Sequence, residues 1–123
     1  MIGNTKTEEN GYRNLIAWQV GDKLAWKVYL LTDKLPGHEI YGLTSQLRRA
    51  VLSVPLNIVE GYARNNRNEF RNFLRISLGS LAETGYLLEF ALKRKHLTEP
   101  EYKEVIGLKE RCGKLLWKLM KSQ

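Results

Sequence analysis

Tyr41-Gly-Leu-Thr-Ser-Gln-Leu-Arg-Arg-Ala-Val-Leu-Ser-Val-Pro-Leu-Asn-Ile-Val-Glu-Gly61 is the stretch on which the fold turns. It reads as one helix. Gly42 breaks the preceding loop, Thr44 or Ser45 can cap an exposed backbone N–H, and Gln46 to Leu52 is built largely from good helix formers. Pro55 sits well inside it, with no N–H for the carbonyl of Val51 and a ring that crowds that carbonyl. Because apolar spacing resumes at Ile58, the expectation is a kink in this second helix rather than an end.

Two apolar stripes run along the same helix. Leu43, Leu47, Ala50, Val51, Val54 and Ile58 recur at helical spacing and form a core-facing stripe. Leu52, Leu56, Val59 and Ala63 form another about a third of a turn away, which leaves the C-terminal half apolar nearly all round. Either this helix is the central one of the fold, or its second stripe meets another subunit. For so short a chain the subunit contact is the expectation.

A chain of 123 residues is one domain with one core. It has no run of about 18 apolar residues to span a membrane, and its first ten residues are too polar for a secretory signal, so a cytoplasmic protein is expected. Cys112 is the single cysteine, which excludes an internal disulfide and a Cys-based metal cluster. Its apolar helical neighbourhood predicts a buried thiol, not a nucleophile.

The formal charge of +7 implies attraction to polyanions without saying which. Its distribution says more. Residues 42–75 carry six arginines and no lysine against Glu60 and Glu69, a net of +4. Guanidinium forks grip phosphates at two points and stack on bases. Residues 93–123 carry nine Lys or Arg against four Glu, mostly lysine, and look like an ordinary solvated helix face.

In chain order, residues 1–12 are polar and expected to be flexible, and the bundle domain occupies 13–121. A first helix is expected from Leu15 to Lys34, capped by Asn14, with Trp18, Ala25, Val28, Tyr29 and Thr32 at core spacing. Gly21 within it suggests close approach of another helix. Pro36-Gly37 stops this helix, and Gly61 to Arg67 forms the second turn. The third helix starts at Arg67, with Asn66 and Glu69 resembling a capping box, and runs to about Lys95, roughly 43 Å at 1.5 Å per residue. Gly79 and Ser80 suggest a tight crossing in mid-helix. The fourth opens on Thr98-Glu99-Pro100-Glu101, where Thr98 caps, Pro100 loses no bond and Glu101 completes the box. With no strand signal and no repeats, four antiparallel helices joined by short loops is the economical all-α fold.

Arg67, Arg71 and Arg75 form a row at i, i+4 and i+8, with Arg64 just before it, which suits a phosphate backbone. The alternative is a solvated face, or pairing with acids of a neighbouring chain. His38 and His96 fit no di-metal motif, so no metal is expected and both read as exposed loop histidines. No phosphate loop, dinucleotide fingerprint or catalytic dyad occurs; no cofactor and no enzymatic activity are expected. Asn57, Glu60 and Glu83, polar residues on otherwise apolar helices, read as an internal network that fixes register or an oligomer contact. An enzymatic alternative would rest on those residues alone.

Three segments carry a family resemblance: Tyr41 to Ala50, Ser53-Val-Pro-x-Asn57-Ile-x-Glu60-Gly61, and Phe73-Leu-x-Ile-x-Leu-Gly-Ser-Leu-Ala-Glu83. Together with Tyr12-Arg-Asn-Leu-x-x-Trp18-Gln, the chain from Tyr12 to Leu119 resembles the four-helix-bundle proteins encoded in intervening sequences of bacterial 23S rRNA genes. Leu56 and Val59 are bulkier than the alanines of that pattern, and Thr84-Gly85 replaces a more helix-favouring pair, which touches packing detail only. Such proteins are similar to the accessory variability determinant protein of diversity-generating retroelements, a basic barrel of five bundles that associates with a reverse transcriptase and RNA. The resemblance implies a homopentameric ring or barrel and a basic surface offered to RNA or DNA.

The combined expectation is a non-enzymatic, homo-oligomeric nucleic-acid-binding protein directed to RNA, with Arg48, Arg49, Arg64, Arg67, Arg71 and Arg75 as contacts and Leu52, Leu56, Val59 and Ala63 in the oligomer interface. The alternative is an interaction scaffold that docks an acidic protein such as a reverse transcriptase.

Overall fold

The computed structural model describes residues 11–123. A 3-10 turn at Gly11–Asn14 leads into α1 (Ile16–Thr32), and a second at Gly37–Glu39 precedes α2 (Leu43–Ala63); α3 (Arg67–Lys93) and α4 (Glu99–Lys121) follow. No strand occurs among the described residues. Each helix packs against two others, α1 and α3 both lying against α2 and α4, while the diagonal pairs stay apart. This is a four-helix bundle.

The core stripes assemble as their spacing requires. Leu24, Val28, Leu47, Val51, Val54, Ile58, Leu74, Leu88, Val105 and Leu116 are sealed from solvent. Each such side chain contributes about 1.5–3 kcal/mol of transfer free energy, so the shared core, not helix propensity, holds the bundle. Cys112 lies in the same core, where burial pushes its thiol pKa up to about 12.

Capping chemistry fixes two helix starts. Thr98 accepts from the N–H of Glu101 while the Glu101 carboxylate accepts from the N–H of Thr98, the full reciprocal box. Asn66 accepts from the N–H of Glu69 at 3.0 Å. The expected Asn14 cap is corrected: Asn14 belongs to the 3-10 turn, and Leu15 occupies the cap position without a side-chain bond. Gly42, not Thr44 or Ser45, precedes the first residue of α2, and Thr44 is buried. Most of the expected flexible segment falls outside the described residues; Tyr12 within it packs its ring edge on Trp18, centroids 5.1 Å apart.

Two glycines, Gly21 and Gly61, show where helices meet. A Cβ on Gly21 would lie 3.4 Å from Val54 Cγ1 and 3.8 Å from the nitrogen of Pro55, so α1 approaches α2 where the proline has no N–H to satisfy. Around Gly79 there is open space, so the expected tight crossing is not there. It is at Gly61, which lies inside α2 and not in a turn: a Cβ there would sit 2.5 Å from Phe73 Cβ and 3.0 Å from Phe70 Cδ1. Gly61→Ala therefore forces the α2–α3 seam apart. Overpacking costs about 1–3 kcal/mol, of which helix propensity returns up to about 1. A lower urea midpoint than the native chain is expected, with the slope unchanged.

Candidate nucleic-acid interface

The short loop between α3 and α4 folds the two helices back on each other, so the first turns of α3 lie beside the last turns of α4. Asn65 takes a left-handed φ of 54°, a conformation asparagine tolerates, and Asn66 then caps α3. Arg67, Arg71 and Arg75 follow along one side of α3. Arg71 reaches across and donates to the backbone carbonyl of Gln123 at 2.7 Å, tying the row to the end of α4. Arg75 donates to Asn72 Oδ1 at 2.8 Å and stays exposed. Arg64 lies over the Phe73 ring at 4.9 Å and approaches Glu69 at 3.9 Å.

The end of α4 brings its own cations to this side. Lys114, Lys118 and Lys121 are exposed, and Lys121 Nζ sits 5.1 Å from the centroid of Trp117, whose side chain is 52% exposed. Among the described residues, no carboxylate pairs with Arg67, Arg71, Arg75, Lys114, Lys118 or Lys121. Positive charge on two adjacent helices thus has no carboxylate side chain against it among the described residues. The lysines of α4, read from sequence as a solvated face, thus adjoin the arginine row. The signal was present in the short loop joining α3 to α4, which pairs one helix's start with the other's end.

Arg48 and Arg49 stand elsewhere. Arg48 donates to Thr32 Oγ1 at 2.8 Å, Tyr29 O at 3.4 Å and Asp33 Oδ1 at 2.6 Å, with its guanidinium 4.7 Å from the Tyr29 ring centroid. It closes the C-terminal end of α1 and is occupied within the chain. Arg49 is exposed on α2 and lines a groove with Tyr29, Leu52, Ser53 and Leu56.

The second stripe of α2 faces outward. Leu52 is 46% and Leu56 57% exposed, Ala63 is exposed and Val59 half-buried. On the neighbouring surface of α1, Trp26 and Leu30 are also exposed, at 67% and 59%. Trp26 lines a groove of about 260 Å³ with Asp22, Ala25, Tyr29 and Leu52.

The internal polar network differs from the expected one. Asn57 donates to the carbonyl and hydroxyl of Ser53 at 2.7 and 2.8 Å, and Ser53 and Ser80 share a hydroxyl hydrogen bond of 2.8 Å across α2 and α3. Thr84 donates to Ser80 O and buried Ser77 to Val54 O. Glu60 and Glu83 are exposed and stand outside the network. Short hydroxyls fit the α2–α3 seam, where a carboxylate would lose its hydration.

At the opposite end from Arg67, the loops meet on Glu39. His96 Nε2 lies 3.0 Å from Glu39 Oε2, while His38 Nε2 and an Arg94 nitrogen each lie 4.0 Å from it. The His96 side chain is only 11% exposed, which corrects its reading as a free loop residue. The hydrogen bond with His96 does most to hold the Glu39 carboxyl below its ordinary 4.5; partial desolvation opposes this, and the Leu43 N–H and the two histidine charges assist it. A depressed folded pKa means that this stabilisation is complete above about 4.5 and is lost as pH falls through the folded value. Glu39→Gln should accordingly flatten the acid limb of thermal stability below pH 4.5. An acid limb identical in both chains would remove Glu39 from the account. Among the described residues, no group of three His, Cys, Asp or Glu side chains is placed to hold a metal ion, and no helix is long and apolar enough to cross a membrane.

A model of the 23S rRNA-intervening sequence protein family matches residues 13–118. The chain is similar to the crystal structure of a protein of unknown function from the S23 ribosomal protein family of Bacteroides thetaiotaomicron, with a TM-score of 0.80 at 24% identity. That similarity covers 86% of this chain and 96% of the other, and at this identity it speaks for the fold. No curated protein matches the chain.

Proposed function

This chain belongs to the 23S rRNA-intervening sequence protein family, and we propose that it is a non-enzymatic, homo-oligomeric RNA-binding protein of the cytoplasm that holds RNA on its α3–α4 side. The observation that carries this is a set of cations with no carboxylate side chain as partner among the described residues, Arg67, Arg71 and Arg75 on α3 with Lys114, Lys118 and Lys121 on α4, where Lys121 lies over exposed Trp117. Arginine forks and lysine point charges serve phosphate oxygens, and the aromatic ring serves bases. Arg64 stands at the edge of this surface, Arg48 serves α1, and Arg49 belongs with the subunit contact.

The assembly proposed is a homopentameric ring. Its support is the outward stripe of Leu52, Leu56, Val59 and Ala63, widened by Trp26 and Leu30, on a surface apart from the cationic one. The helices are taken as antiparallel because Lys27 pairs with Glu104 and Lys34 with Glu101, so that numbering falls along α4 as it rises along α1. A bend in α2 at Pro55 follows from the missing N–H.

The test is binding of a structured RNA across a salt series, since phosphate contacts release counterions and make affinity fall with salt. A second reading, a scaffold docking an acidic protein such as a reverse transcriptase, rests on the same cations. Recovery of the protein from cells with and without nuclease separates them: RNA-mediated partners vanish on digestion and protein partners persist.

A further inference from the structure

Beside Trp117 the surface of α4 carries a shallow, wide-open cleft of about 470 Å³, lined by Lys109, Glu110, Gly113, Lys114 and Trp117. Gly113 lies one turn before Trp117 and puts no side chain into the cleft. Lys109 is drawn toward α3, its Cε within 2.9 Å of where a Cβ on Gly85 would stand. Lys121 lies over the indole at 5.1 Å, while the ring also borders the cleft. Glu110 is exposed and has no hydrogen-bond or ion-pair partner among the described residues.

We propose that this cleft takes a single unpaired nucleobase, stacked on Trp117 above Gly113, while the flanking phosphates lie on Lys114, Lys118, Lys121 and the Arg67–Arg71–Arg75 row. The inference rests on the RNA-binding function proposed above and narrows its ligand to single-stranded RNA. The chemistry of the lining distinguishes base from phosphate. A carboxylate repels a phosphate, but it accepts hydrogen bonds from the amino and imino edges of bases, so Glu110 favours the base as the group that enters. A flat indole offers stacking to any base, and neighbouring ammonium groups neutralise the strand on either side. In a duplex the base faces are covered by their neighbours, so a duplex reaches the phosphate contacts and not the cleft.

The experiment compares dissociation constants for a single-stranded RNA of about a dozen nucleotides and a duplex of the same length, with the native chain, Trp117→Ala, Trp117→Phe and the Arg67→Gln, Arg71→Gln, Arg75→Gln triple variant. Trp117 is half exposed, and circular dichroism verifies the fold of each variant. Stacking energetics predict that Trp117→Ala weakens the single strand roughly 5- to 100-fold, with duplex affinity and salt slope unchanged. Trp117→Phe keeps most of the affinity, and the triple variant weakens both ligands. Native-like single-strand binding by Trp117→Ala, or equal weakening of strand and duplex, overturns the stacking role while leaving RNA binding in place. Failure of the native chain to bind either RNA overturns both.

Discussion

Replacing Arg67, Arg71 and Arg75 together by glutamine is expected to flatten the slope of log affinity against log salt by about 2, because each phosphate contact on a single strand contributes about 0.7. If the two chains converge near 1 M salt, that difference corresponds to about 10²-fold weaker binding at 0.1 M. The fold should survive. Arg67 and Arg75 are exposed, and Arg71 gives up one hydrogen bond to the Gln123 carbonyl, a loss of about 1 kcal/mol. Glutamine keeps part of the stem that covers neighbouring apolar surface, so the readout isolates charge. Unchanged affinity and slope would take the α3 row out of the interface. Fluorescence anisotropy with a labelled RNA from 50 to 400 mM salt, on the order of the range over which counterion release is read, makes the measurement.

Leu52→Glu combined with Leu56→Glu is expected to convert the assembly to monomer at micromolar concentration. Both side chains are already about half exposed in the single chain, so the substitutions cost the isolated bundle little. In a ring the same positions would be covered, and each carboxylate would have to shed its hydration without a partner. Loss of several kcal/mol per contact is enough to dissociate an interface of ordinary strength. Light scattering should report a native mass several times that of the chain and a variant mass equal to it, with identical helical content. A native chain that is monomeric at micromolar concentration would refute the subunit contact.

The bundle was legible where local chemistry acts alone. Thr98, Pro100 and Glu101 announce the start of α4 because a capping box needs no partner from elsewhere in the chain. The two stripes of α2 were equally plain, since helical spacing decides which residues share a side. The position of Gly61 was not legible. A glycine before Tyr62 looks like a turn until Phe70 and Phe73 of α3 are seen to occupy the space of its missing side chain. Gly79, by contrast, faces open space.

The candidate interface was half legible. Spacing put Arg67, Arg71 and Arg75 in a row, but a row on one helix carries no information about the helix beside it. Packing of α3 against α4 adds Trp117, Lys118 and Lys121, which composition alone made look unremarkable. Tertiary contact also gives Arg48 a structural task that spacing did not show: it donates to Thr32, Tyr29 and Asp33, all from α1 and its end. Glu60 and Glu83 failed as internal residues for a related reason. Hydroxyls of Ser53 and Ser80 already satisfy each other in the seam, so the carboxylates point to water.

Ultraviolet cross-linking of the native protein to bound RNA, followed by mass mapping of the modified peptides, tests the central claim most directly. Attachment within residues 67–75 of α3 and 114–121 of α4, with Trp117 prominent, is the predicted result. Cross-links confined to the Leu52 and Leu56 side of the bundle, or none in a sample that retains RNA, would contradict it.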